Sequence, residues 1–140
     1  MYRIAILADQ TKNGQHYARR IARFCAEKGI FPQFFLYQNQ EQFFDRFEET
    51  APTSAVISLP GVEGLNVIEH LYSLRRDCKV IWCSDLDFAL HAFRLRVTYF
   101  ILEPSTEELF QQGLTALFEK TMRLTASKEA ASTKFQNITG

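Results

Sequence analysis

The sequence predicts an α/β fold in which one parallel five-stranded sheet carries helices on both faces. Three observations carry that expectation. Strand-like runs alternate with helix-like segments along the chain, the strand-like runs are apolar almost throughout, and a hydrophobic content of 46% with 14% aromatic residues supplies a core. Continuous apolar runs suit strands buried on both faces, which is the condition of a parallel sheet. At 140 residues the chain fits one domain with a sizeable core, and a second full domain would not fit beside it.

The first strand is expected over Arg3–Ala8. Behind it Tyr17, Ile21, Phe24 and Cys25 recur at i, i+4, i+7 and i+8, with Arg19, Arg20 and Arg23 on the other side and Gly29 as a stop. Gln33–Tyr37 reads as the second strand, and Phe43, Phe44 and Phe47 mark a second helix. The third strand is expected over residues 54–59, followed by a Pro60-Gly61 turn and a helix buried through Val67, Ile68 and Leu71. Lys79–Ser84 is the fourth strand.

The fourth helix carries apolar residues on two faces. Leu86, Ala89, Leu90 and Phe93 can face the sheet, which leaves Phe88, Ala92 and Leu95, at i, i+4 and i+7, as a second stripe available for an interface. The alternative is that one stripe is part of a wide core face. Tyr99–Leu102 is the last strand, residues 105–108 form a capping-box sequence after Pro104, and Phe110, Leu114, Leu117 and Phe118 give the last helix its buried stripe. Right-handed crossovers between such elements lead to a flavodoxin-like (βα)5 three-layer sandwich with strand order 2-1-3-4-5. Ligands of such sheets bind outside the carboxyl ends of the strands, near the switch in strand order.

Charge and motif patterns exclude several functions. The 16 basic and 16 acidic residues cancel, so no nucleic acid is expected to bind this chain alone and no membrane to attract it. Cys25, Cys78 and Cys83 are odd in number and form no C-x-x-C, which points to buried free thiols in a reducing cytoplasm. The apolar run at residues 4–8 is too short for a secretory leader, and no stretch approaches the roughly 18 apolar residues of a membrane span. Gly61 and Gly64 make only G-x-x-G, without the fingerprint of a dinucleotide site or a Walker lysine. His16, His70 and His91 have no metal-ligand spacing, and no G-x-S-x-G elbow is present. No catalysis, metal or cofactor is expected.

Read in order, the stretch from Val56 to Pro104 gives VISLPGVEGLNVIEHL, then KVIWCSDLDFALHAF, then YFILEP. This succession resembles the receiver (CheY-like) domain of two-component response regulators, and within it the kind found N-terminal to LytTR-type DNA-binding domains. There a buried strand leads into MPGMDG and a helix, a second strand into a threonine and a helix like DEYALKAF, and a third ends in DYLLKP. The resemblance covers about residues 1–122.

The resemblance implies three chemical roles at the strand ends: an aspartate after the third strand to take the phosphoryl group, an acidic pair after the first to hold magnesium, and a lysine after the last. Phosphoryl transfer works by positioning and charge stabilisation, so other polar residues of similar size do not serve. The aspartate is missing, because no carboxylate occurs between Glu49 and Glu63. Ungapped alignment puts Val56 at the acceptor position, and a loop two residues shorter puts Ser58 there. The lysine is missing too, with none between Lys79 and Lys120, and Glu103 stands in its place before Pro104. Of the acidic pair only Asp9 remains, beside Ala8. Asp9, Ser58 and Glu103 together offer fewer oxygens than a hard cation takes, so no metal is expected. Ser84 or Cys83 falls at the switch threonine or serine of the family, and Phe100 at its switch aromatic.

Residues 1–124 are thus expected to form a degenerate receiver domain. Residues 125–140 begin with TASKEAASTK and end with KFQNITG, a linker or helix extension leading into the start of a following DNA-binding domain. The implied function is phosphorylation-independent regulation of transcription by a pseudo-receiver, acting through homodimerisation or contact with another regulatory protein or an attached DNA-binding domain. The alternative is a stand-alone interaction module that occupies a kinase or another regulator.

Overall fold

The computed structural model describes residues 2–119. Among them, five strands form one parallel sheet in the order β2-β1-β3-β4-β5, as expected. The strands are β1 (Arg3–Ala8), β2 (Gln33–Tyr37), β3 (Ser54–Ser58), β4 (Lys79–Ser84) and β5 (Tyr99–Leu102). The helices are α1 (Thr11–Ala26), α2 (Gln40–Asp45), α3 (Phe47–Thr50), α4 (Val62–Leu74), α5 (Ala89–Leu95) and α6 (Glu107–Leu117). No helix among the described residues is long and apolar enough to cross a membrane. The expected linker and following domain, residues 125–140, lie outside the described residues.

The central strands divide their side chains between two cores, as period-2 alternation requires. Ala5, Leu7, Ala55, Ile57, Val80 and Trp82 turn to the side covered by α2 to α5, where Phe43, Phe47, Ile68 and Leu71 meet them. Ile4, Ile6, Val56, Ile81 and Cys83 turn to α1 and α6, where Tyr17, Ile21, Phe110 and Leu114 meet them. The middle of β1, β3 and β4 is fully buried, which is why those strands read as unbroken apolar runs.

Three expectations are corrected. The single second helix is two short ones: the Asn39 side chain accepts from the Gln42 N–H to start α2, and the chain breaks at Arg46 before α3 begins. Phe43 and Phe47 both reach the core, one from each short helix. The cap of the last helix is Thr106, whose Oγ1 accepts from Leu109 N–H at 3.3 Å, one residue after the expected start.

The third correction concerns the fourth helix, α5, whose two stripes are exchanged. Ala92 is buried, Phe88 and Leu95 pack against the core, and Leu86, Leu90 and Phe93 are the exposed set, Phe93 at 80%. The cause is the Phe88 ring, which lies flat on the Trp82 indole at 5.4 Å between centroids and 15° between planes. Offset stacking on a large buried ring is worth more than area alone, and it fixes the rotation of a helix only seven residues long. Phe88, Ala92 and Leu95 therefore belong to the packed face, and Leu86, Leu90 and Phe93 are the apolar residues left exposed.

Candidate functional site

The carboxyl ends of β1, β3, β4 and β5 open into a cleft of about 510 Å³, roofed on one side by α1. Each strand delivers one polar side chain by its last residue or the next one. Asp9 follows β1, Ser58 ends β3, Ser84 ends β4 and Glu103 follows β5. This is the crevice at the switch in strand order where ligands of such sheets bind.

Of the two positions considered for a phosphoacceptor, the structure brings Ser58 to the cleft and keeps Val56 fully buried in the α1 and α6 core. Ser58 is engaged from the opposite wall. The Tyr17 hydroxyl, carried by the inward face of the second turn of α1, lies 3.2 Å from Ser58 Oγ in a hydrogen bond that either oxygen can donate. The Tyr17 ring stacks on Phe110 of α6 at 5.4 Å, and the Arg20 guanidinium sits 4.2 Å from the centre of that same Phe110 ring. Arg20 is also ion-paired with Glu107 at 2.9 Å. The cation nearest the cleft is therefore held by α6, away from the end of β5 where the resemblance places a lysine.

Glu103 is half-buried, and its Oε1 accepts from Ser105 Oγ at 3.3 Å, while its N–H donates to the Ser84 carbonyl at 2.8 Å. The Glu103-Pro104 peptide bond is cis. Asp9 is exposed at the rim. Among the described residues no group of three or more His, Cys, Asp and Glu side chains is placed to hold a metal ion. Asp9 and Glu103 line one cleft.

Burial decides the protonation of the two neighbours of Ser58. It raises the Tyr17 phenol well above its ordinary range, with Cys83 and Glu103 adding to the effect. It also pushes the Cys83 thiol up to about 12, with the Glu103 carboxylate next in weight. Both groups are neutral near pH 7, so Tyr17 and Cys83 meet the cleft as uncharged hydrogen-bonding groups.

The two residues assigned to the switch lie on either side of Trp82. Ser84 is buried, and its Oγ accepts from Leu86 N–H at 3.1 Å, closing the turn that leads to α5. Phe100 is half-buried and meets Trp82 edge-on at 5.2 Å. Phe88, Trp82 and Phe100 form one aromatic contact across α5, β4 and β5.

Several residues of the site are not marked as such by the sequence pattern, Tyr17 and Asp85 among them. Helical spacing marks Tyr17 only as part of a buried stripe, and nothing in i, i+4 spacing tells that its hydroxyl reaches β3. Asp85 follows β4; its Oδ1 accepts from Gly61 N–H at 2.9 Å and ties the β4 loop to the β3 loop across the cleft mouth. A carboxylate at a strand end opposite a turn glycine was the available signal.

This geometry, a 2-1-3-4-5 parallel sheet with polar residues gathered at its carboxyl edge, is that of the CheY-like receiver fold. Solved structures that resemble it include receiver domains and response regulators. The receiver domain of AraT, a response regulator from Geobacillus stearothermophilus, superposes with a TM-score of 0.70 at 16% identity, over 89% of this chain and 98% of that one. A receiver domain protein from Clostridium thermocellum gives 0.68 at 13% identity, over 89% and 99%. A DNA-binding response regulator of the LuxR family from Staphylococcus aureus gives 0.64 at 18% identity, over 84% and 98%. No family model matches the sequence, and no curated protein matches it.

Proposed function

We propose that this chain is a pseudo-receiver: a receiver-fold module that regulates transcription through protein contact and without accepting phosphate. The observation that carries the reading is the end of β3, where Ser58 bonds to Tyr17 in place of a carboxylate. A serine hydroxyl holds no charge for magnesium and cannot form an acyl phosphate. Around it stand Asp9, Asp85, Glu103 and Glu107 against Arg20, which is already paired, so the cleft opposes a dianionic phosphoryl group.

Output in this reading runs through the face of α5 and β5. Leu86, Leu90 and Phe93 are exposed there, and Leu102 of β5 is 45% exposed on the same side of its strand as Phe100. An apolar patch of this kind is a contact surface for another regulatory protein or for an attached DNA-binding domain. The resemblance to a DNA-binding regulator supports the second of these.

The test is incubation with acetyl phosphate and magnesium, followed by intact mass measurement and thermal melting. No phosphoryl adduct is expected, and neither magnesium nor beryllofluoride is expected to raise the melting temperature, since neither has a site that favours the folded state. A gain of one phosphoryl group labile to hydroxylamine would overturn the proposal. So would a magnesium-dependent rise in melting temperature that Asp9→Asn abolishes.

A further inference from the structure

We propose that the open edge of β2 is a self-pairing surface, through which two copies of this chain join antiparallel into one continuous sheet. The inference does not depend on the reading of the cleft. It starts from the hydrogen bonds of an edge strand. Among the described residues β2 has β1 as its only neighbour in the sheet. Gln33 N–H donates to the Tyr2 carbonyl at 2.9 Å, and the register continues with Ala5 beside Phe35 and Leu7 beside Tyr37. In a parallel strand the N–H and C=O of one residue point to the same side, and successive residues to opposite sides. Gln33, Phe35 and Tyr37 therefore spend their backbone groups on β1. Phe34 and Leu36 turn theirs to the open edge.

That pattern is its own complement. A second copy placed antiparallel about a two-fold axis at Phe35 sets Phe34 opposite Leu36 of the second copy, and Leu36 opposite its Phe34. Each of these pairs exchanges both N–H···O=C bonds, so the four outward groups of each strand are all met. Such a contact is isologous and closes at two copies.

The edge also lacks what keeps sheet edges apart. Residues 29–40 contain no Asp, Glu, Lys or Arg, and Pro32 lies before the strand and outside its ladder. Natural edges are blunted by charge, by proline within the strand or by bulges. Beside this one Phe31 is 74% exposed and Leu36 42%. A groove of about 690 Å³ runs along it, with Phe35 and Tyr37 on one wall and Arg46 and Glu49 on the other. Arg46 and Glu49 are paired with each other at 3.2 Å, and Arg3, the third charged residue lining the groove, donates from Nε to the Ala51 carbonyl at 3.2 Å. An uncharged strand selects no charged partner, and its own sequence satisfies its outward bonds. This is why the occupant is a second copy.

The experiment is sedimentation of the full 140-residue chain up to concentrations on the order of 100 μM, as suits a contact at the small end of the interface range. A concentration-dependent dimer is expected. Leu36→Pro removes an outward N–H and leaves the β1 ladder whole, and Leu36→Lys puts charge on the edge without touching the backbone. Both should shift the protein to monomer with an unchanged far-UV spectrum, and if Leu36→Pro does not fold, Leu36→Lys decides. Phe35→Cys should oxidise to a disulfide-linked dimer, because residues facing each other at the axis lie about 4.5 Å apart at Cα, within disulfide reach. The native thiols are buried and do not compete. A chain that stays monomeric throughout overturns the proposal. A dimer broken by Phe93→Glu and untouched by Leu36→Lys also overturns it, and assigns self-association to α5.

Discussion

Truncating Phe88 and Phe93 one at a time separates the packed face of α5 from its exposed face. Phe88→Ala removes a ring that is stacked on Trp82 at 5.4 Å and meets His91 edge-on at the same distance. Full burial of a phenylalanine makes its truncation cost about 3–5 kcal/mol, and the ring–ring contact accounts for about 0.5–1.5 kcal/mol. Phe88 is only partly buried, so the loss should be about 2–3 kcal/mol. Phe93, at 80% exposure, should cost no more than about 0.5 kcal/mol. Urea unfolding followed by fluorescence of Trp82, the single tryptophan, measures both. Phe88→Ala should also alter the native emission, since it strips one face of the indole. The helical pattern alone puts Phe93 inside and Phe88 outside, and so predicts the reverse order. A larger loss for Phe93→Ala, or equal losses, would refute the rotation of α5 described above.

The remaining expectations concern buried ionisable groups. Burial pushes the thiols of Cys25, Cys78 and Cys83 up to about 11, 12 and 12, so a thiol reagent near neutral pH should leave the native protein unmodified and titrate three cysteines only in denaturant. A rapid native reaction would mean that a strand end is open. The Tyr17 phenol is raised by burial above its ordinary value of 10.0, so folding favours the neutral form. Its contribution to stability is complete below that value and is lost as pH rises above it, because the unfolded chain releases the proton first. Melting temperatures measured from about pH 8 to about pH 11 should fall along the upper part of that range, and less steeply in Tyr17→Phe. Parallel curves for the two proteins would remove Tyr17 from the account.

The sheet was legible because its strands are buried on both faces, so each appears as a short apolar run with no competing pattern. Where two patterns of the same period overlap, the sequence does not decide. Leu86, Leu90 and Phe93 are as apolar as Phe88, Ala92 and Leu95, and only the long-range contact of Phe88 with Trp82 chooses between them. The break at Arg46 was equally hidden, since no glycine or proline marks it and Phe43, Phe44 and Phe47 fit one helix as well as two. Ser105 and Thr106 are both competent caps, which left the start of α6 uncertain by one residue. At the site, Asp9, Ser58 and Glu103 could be found because strand ends fix where they point. Tyr17 could not, because its ring serves the core while its hydroxyl serves the cleft.

The polar groups of the cleft are largely spent on one another. Tyr17 bonds to Ser58, Ser105 to Glu103, Arg20 to Glu107, and Gly61 to Asp85. In a phosphate-accepting pocket such groups would have to be held ready for charge that arrives with the ligand, at a cost in stability while they wait. Here the same strand ends are joined by internal hydrogen bonds, and the β3 and β4 loops are tied across the mouth. The route from those loops to α5 is nonetheless kept, through the Ser84 turn and the Phe88, Trp82 and Phe100 contact. An aromatic contact of this kind couples α5 to the sheet whichever end of it is displaced, because coupling between two sites is reciprocal. In the proposed reading no charge arrives at the cleft, the end open to displacement is α5, and the module is set by what binds its surface.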